Sequence, residues 1–113
     1  MSGTFQFRTH SRMPITCFVD YTGEGLIGTG VIQDFSVDGW HIRAFKSQPI
    51  KLGMSLALRV SFPNHHIPIE IETAVVQWVK KREFGVHVVE MSSEVETRVR
   101  QFIESVVNLR DAI

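Results

Sequence analysis

Apolar and polar residues alternate with a period of two along much of this chain, the signature of strands that bury one face. The cleanest run is Leu56, Leu58, Val60 and Phe62, alternating with Ser55, Ala57, Arg59 and Ser61. Pro63-Asn64-His65-His66 reads as a hairpin loop, after which Ile67, Ile69 and Ile71 alternate with Pro68, Glu70 and Glu72. Beyond Thr73 the alternation blurs into AVVQWV, which predicts a bulge or a more fully buried stretch. Ile15 to Tyr21 (ITCFVDY) is rich in β-branched and aromatic residues and reads as a strand, closed by the turn Thr22-Gly23-Glu24-Gly25. Gly28 to Gln33 and Trp40 to Phe45 are two further extended segments, and Ser47 to Gly53 is a connecting loop. Lys80-Lys81-Arg82-Glu83 is a charged turn ahead of a last strand, Phe84 to Glu90.

The period then changes. Val95, Val99, Phe102, Ile103 and Val106 recur at helical spacing and define one apolar stripe. Ser93 with Glu96 three residues on fits a capping box, Glu94 suits the positive helix N-terminus, and Arg110 suits the negative C-terminus. Short strands followed by one amphipathic helix at about residues 93–110 predict a mainly β fold. The expected form is a small antiparallel barrel with the helix over an opening or against its outside. Met13-Pro14 separates this body, residues 14–113, from a polar N-terminal arm, residues 1–13.

Composition narrows the function. The 113 residues suit one domain, and 43% apolar with 21% charged residues is an ordinary globular balance. Twelve basic and twelve acidic residues cancel, so no global field draws the chain to nucleic acid or to an anionic membrane, and any anion site must be local. Cys17 is the sole cysteine, which excludes an internal disulfide and a Cys-rich metal site. Neither a signal-like N-terminus nor a membrane-length apolar run is present, so a cytoplasmic location is expected. No metal is expected: His65 and His66 are adjacent, so on a strand they would point apart, and no third ligand has suitable spacing. His41 and His87 read as ordinary strand residues, and Cys17 as a small buried hydrophobe. An enzyme is not expected either. Ser36 lacks a GxSxG elbow, the glycines form no phosphate loop, and no cluster of His and carboxylates could hold hydrolytic metals.

Two motifs carry chemistry. Arg8-Thr9-His10-Ser11-Arg12 is an RxxxR pair, and Asp34-Phe35-Ser36-Val37-Asp38-Gly39 is a DxSxxG turn. An arginine fork binds phosphate or another planar acceptor pair with two bonds and stacks on flat rings, whereas lysine supplies only charge. The Asp34 carboxylate can accept from paired N–H donors, Ser36 can donate or accept beside it, and Gly39 permits close approach or a positive φ.

In this order and ahead of a β-rich body, the motifs resemble those of the PilZ domain family, the bacterial receptor domain for cyclic di-GMP. The likeness runs from about Arg8 to Ile103. It implies the small split-type β-barrel with a C-terminal helix, and cyclic di-GMP held by Arg8, Arg12, Asp34, Ser36 and Gly39, with no other cofactor. Trp40, bulkier than the family pattern leads one to expect, is a possible additional ligand contact or a packing residue. Thr9 and Phe7 stand where a further basic residue could grip a second ligand molecule, which slightly favours one ligand per domain. The implied function is a single-domain receptor whose arm orders on binding and which signals to a separate protein controlling motility, attachment or exopolysaccharide. The alternative is a protein–protein adaptor, as in pilus assembly, that has the fold and ignores the nucleotide; such members typically lack the arginine pair.

Overall fold

A computed structural model of the protein describes residues 17–35, 39–63 and 67–111. Within them lie six strands, β1 (Cys17–Gly23), β2 (Leu26–Phe35), β3 (Gly39–Ala44), β4 (Ser55–Ser61), β5 (Ile69–Lys80) and β6 (Glu83–Glu90), followed by one helix, α1 (Ser93–Asp111). The strands close into an antiparallel barrel in the order β1-β2-β3-β6-β5-β4. The predicted fold class is therefore observed. The expected arm, residues 1–13, and the loop histidines His65 and His66 lie outside the described residues, as do the side chains of Val106 and Arg110.

Period-two burial explains the closure. Along β4 the residues are alternately exposed and buried, with Leu56, Leu58 and Val60 inside. Val19 and Tyr21 of β1, Ile32 of β2, Trp40 and Ile42 of β3, Ile69, Ile71, Ala74 and Val76 of β5, and Phe84 and Val86 of β6 belong to the same core. Burying each large apolar side chain contributes about 1.5–3 kcal/mol, so this interior dominates the stability. The bulge predicted near Thr73 is present: β5 shifts register against β6 between Thr73 and Ala74, and against β4 opposite Leu56 and Leu58. A second shift follows between Val76 and Trp78. The stretch after it is not more deeply buried, because residues 77–80 are all exposed.

The turns follow from backbone geometry. Gly23 pairs with Leu26, leaving Glu24 and Gly25 as a two-residue hairpin loop with φ of 51° and 82°. Positive φ at both central positions matches the right-handed twist of the flanking strands. Ser55 N–H donates to the Glu24 carboxylate at 2.9 Å, which ties this turn to the start of β4. The β5–β6 turn is tighter than expected, since Lys80 still pairs with Glu83 and only Lys81 and Arg82 remain unpaired in the ladder.

The helix sits at the end of the barrel where β4 finishes. Val99, Phe102 and Ile103 are buried, Phe102 stacks on Phe62, and Arg98 donates to the Ile67 carbonyl at 2.6 Å. The capping side chain is Ser92, one residue before the expected Ser93: its hydroxyl accepts from Val95 N–H at 3.1 Å. Ser93 instead gives its carbonyl to the Thr97 hydroxyl within the first turn. Glu94 and Glu96 occupy that first turn, where they complement the helix dipole.

Candidate functional site

The strand β2 runs two residues further than the sequence pattern indicates, so Asp34 belongs to the ladder and not to the turn after it. Its orientation depends on one irregularity. Ile32 pairs with Ile42, but the next pair is Asp34 with His41, leaving Gln33 as an extra residue in β2. In a regular strand Asp34 would share the face of Ile32, which is 2% exposed and inside the barrel. The bulge at Gln33 turns it to the outer face, opposite His41. A carboxylate that would otherwise be buried is thereby delivered to the surface, with a third of its side chain exposed.

Around it the outer face of β2, β3, β6 and β5 assembles a polar row. Gly39 pairs with His87, His41 with Gly85 and Gly85 with Trp78. The imidazole of His41 stands between two carboxylates, with Nε2 2.7 Å from Glu83 Oε1 and Nδ1 3.8 Å from Asp34 Oδ2. An ionised carboxylate only accepts, so Nε2 is the donor in the shorter contact. Glu83 thus fixes the ring beside Asp34. Trp78 meets the same ring edge-on, with centroids 5.0 Å apart and planes at 68°.

The structure brings together Asp34 and Gly39, which lie on adjacent strands at the same end of the barrel. Arg8, Arg12 and Ser36 are outside the described residues. Trp40, considered as a further ligand contact, is 2% exposed and part of the core. It points inward like Ile42 and Ala44 on the same strand. Its burial corresponds to the packing role, and a stacking role would require it to leave the barrel interior.

His41, Glu83 and Trp78 were not singled out as site residues from the sequence. For His41 a signal existed: it alternates with apolar Trp40 and Ile42, so it had to face outward. Glu83 carried none, because it read as part of a charged turn. Among the described residues no group of three His, Cys, Asp or Glu could hold a metal ion. Cys17 is fully buried, and burial pushes its thiol up to about 12, which makes it a poor nucleophile. No described helix is long and apolar enough to cross a membrane.

Comparison with known proteins agrees with this architecture. The PilZ domain family matches residues 6–105, which is most of the chain and spans both motifs. The chain belongs to the PilZ domain family. PilZ domains are regulatory receptor or adaptor domains, in general receptors for cyclic di-GMP, and not enzymes. Among solved structures, the PilZ domain of CeSA from a cellulose-synthesizing bacterium superimposes with a TM-score of 0.64 at 18% identity, covering 83% of this chain and 95% of that one. The inhibitor of motility MotI/DgrA of Bacillus subtilis superimposes with a TM-score of 0.69 at 18% identity, covering 82% of this chain and 47% of that one. At such identities the likeness establishes the shared fold. No curated protein matches the chain.

Proposed function

We propose that this PilZ domain is a cytoplasmic receptor for cyclic di-GMP that passes the signal to a separate protein. The observation that carries the reading is the outward turn of Asp34 by the bulge at Gln33, beside Gly39, in a chain whose RxxxR and DxSxxG motifs are both complete. Asp34 accepts from the N1–H and 2-amino groups of a guanine, and Gly39 lets the ligand approach the start of β3. Arg8 and Arg12 supply forks for phosphate and guanine, and Ser36 adds a short polar contact. The bases are read by hydrogen bonds and the anionic linkages by the arginines.

Ligand binding orders the arm across this face, and the ordered arm is the surface that the partner recognises. Motility, attachment or exopolysaccharide control is the output class. A motility inhibitor and a domain from a cellulose-synthesizing bacterium are among the structural neighbours, which supports that range.

Calorimetric titration of the purified protein with cyclic di-GMP tests binding and stoichiometry together, with one ligand per domain expected. Hydrogen exchange with and without ligand tests the switch: protection should rise in residues 5–14 and 33–41 and change less from Ser93 onward. Absence of binding heat would favour the adaptor reading. Equal protection of the arm in both states would remove the switch and leave the receptor.

A further inference from the structure

The antiparallel topology sorts the connections of the barrel onto two ends. At the end opposite the helix, β1, β3 and β5 finish and β2, β4 and β6 begin, so the turns at 23–26 and 80–83 share it with the loop 45–54. Positive charge is concentrated there. Lys46, Lys51, Lys80, Lys81 and Arg82 are exposed on these connections, against the carboxylates of Glu24 and Glu83, in a chain whose net charge is zero. Glu24 accepts from Ser55 N–H, and Glu83 is held by His41. None of the four lysines forms an ion pair among the described residues. Arg82 donates to the Phe45 carbonyl at 2.9 Å and accepts from Ala44 N–H at its own carbonyl, which ties the β5–β6 turn to the loop.

The same end displays apolar side chains that the core does not use. Ile27 is 79% exposed, Leu52 71% and Phe45 49%. Their display is built into the backbone. Met54 N–H donates to the Lys51 carbonyl at 3.1 Å and Gly53 has a φ of 86°, so Leu52 stands at the tip of a tight turn that needs glycine at its third position. That turn is anchored to β5, where Gly53 N–H donates to the Val76 carbonyl and Val76 N–H to the Met54 carbonyl. On the other side of the loop, the Gln48 amide donates to the Ile27 carbonyl at 2.7 Å and accepts from the Tyr21 hydroxyl. Leu, Ile and Phe held out among unpaired lysines have the chemistry of a contact with a membrane surface.

We propose that this end of the barrel docks on an anionic lipid surface, with Leu52, Ile27 and Phe45 entering the headgroup layer and the lysines facing the lipid phosphates. The cations favour lipid over an acidic protein. Four of the five are lysines, point charges that suit a diffuse field, and the one arginine already donates to the Phe45 carbonyl. Protein interfaces, by contrast, are enriched in arginine and poor in lysine. The apolar side chains also belong to three separate segments: the start of β2, the residue after β3 and the turn at Leu52. Asp34 lies at the other end of β2 from Ile27, about 23 Å away at the ordinary strand rise. Docking therefore leaves the Asp34 end turned away from the lipid and open to ligand. The proposal goes beyond the receptor reading and does not depend on it.

The test is co-flotation of the full chain with vesicles of mixed phosphatidylglycerol and phosphatidylcholine, with pure phosphatidylcholine vesicles as the control. Binding is expected to the anionic vesicles alone and should weaken as salt is raised. Lys46→Gln, Lys80→Gln and Lys81→Gln combined should weaken it about 100-fold, at about fivefold per cation near an anionic surface. Leu52→Ser should weaken it about 10-fold, as for one partly buried apolar side chain. All four side chains are exposed, so both variants should keep the fold, which circular dichroism checks. Should a variant unfold, the native chain's preference for anionic vesicles and its loss in high salt decide the matter. Failure of the native chain to bind anionic vesicles, or undiminished binding by either variant, would overturn the proposal. Retention on polyglutamate beads without vesicle binding would assign this end to an acidic protein instead. Titration with cyclic di-GMP in solution decides the receptor reading separately, so either can fail without the other.

Discussion

Phe62 and Phe102 stack with ring centroids 4.0 Å apart and planes only 2° from parallel, and this contact joins the helix to the barrel. Phe62 follows the last residue of β4, and Phe102 is in the middle of α1; both are buried. Removing the helical partner leaves a cavity over Phe62 that the neighbouring Val99 and Ile103 cannot fill without moving α1. Phe102→Ala is therefore expected to destabilise the protein by about 3–5 kcal/mol, measured as a lower urea midpoint followed by circular dichroism. A midpoint equal to the native one would mean that the helix contributes little to the fold.

Base selectivity is expected to reside in Asp34. Adenine has neither an N1–H nor a 2-amino group to donate, so the native protein should prefer cyclic di-GMP over cyclic di-AMP. Asp34→Ala should weaken cyclic di-GMP binding by about 1.5–3 kcal/mol, as for a hydrogen bond to a charged group, and should narrow the preference. Competition titrations with both nucleotides check this. Equal native affinity for the two would contradict the role given to Asp34.

For the arginine pair, the expected outcomes separate charge from shape. Arg12→Ala should weaken binding by about 2–4 kcal/mol, roughly 30-fold or more. Arg8→Lys preserves the charge but not the planar fork, and it too should lose affinity. Calorimetry on both variants decides, and unchanged curves would take the pair out of the site.

Alkaline pH should destabilise the fold through Cys17. Burial pushes its thiol from 9.0 up to about 12, and Tyr21 is raised in the same direction for the same reason. Well below pH 9 the thiol is protonated in both folded and unfolded chains and contributes no pH dependence. Between about pH 9 and pH 12 the unfolded chain releases the proton and the folded chain keeps it, so stability falls as pH rises through that window. Cys17→Ala should flatten part of this slope in urea titrations at successive pH values. The native thiol should also resist alkylation at pH 8 until the protein is unfolded; rapid labelling of the folded protein would contradict its burial.

The strands and the helix were legible in the chain because each has a strong local period: β4 alternates cleanly, and Val99, Phe102 and Ile103 share one helical face. The bulge near Thr73 was legible as a lapse in alternation. The bulge at Gln33 was not, because it arises from how β2 registers against β3, a long-range pairing with no local signature. That single residue decides whether Asp34 faces the core or the solvent. The helix cap lies at Ser92 and not Ser93: both serines are favoured N-cap residues by type, and the Glu96 that suggested a capping box with Ser93 does not decide between them. Of the five candidate site residues named from the sequence, the fold places Asp34 and Gly39, and Arg8, Arg12 and Ser36 lie outside the described residues. The neighbours His41, Glu83 and Trp78, drawn from three strands, became visible only once the barrel closed.

Closure of that ring also restricts how a message can leave this domain. Each of the six strands is laddered on both sides by its neighbours, so none presents an unpaired margin along its whole length. Among the described residues, a partner that docks by adding a strand of its own would find only short one-sided stretches, such as the start of β2 and the end of β5. A partner would then read mainly side chains on the outside of the closed barrel, the face across which the proposed receptor lays its arm.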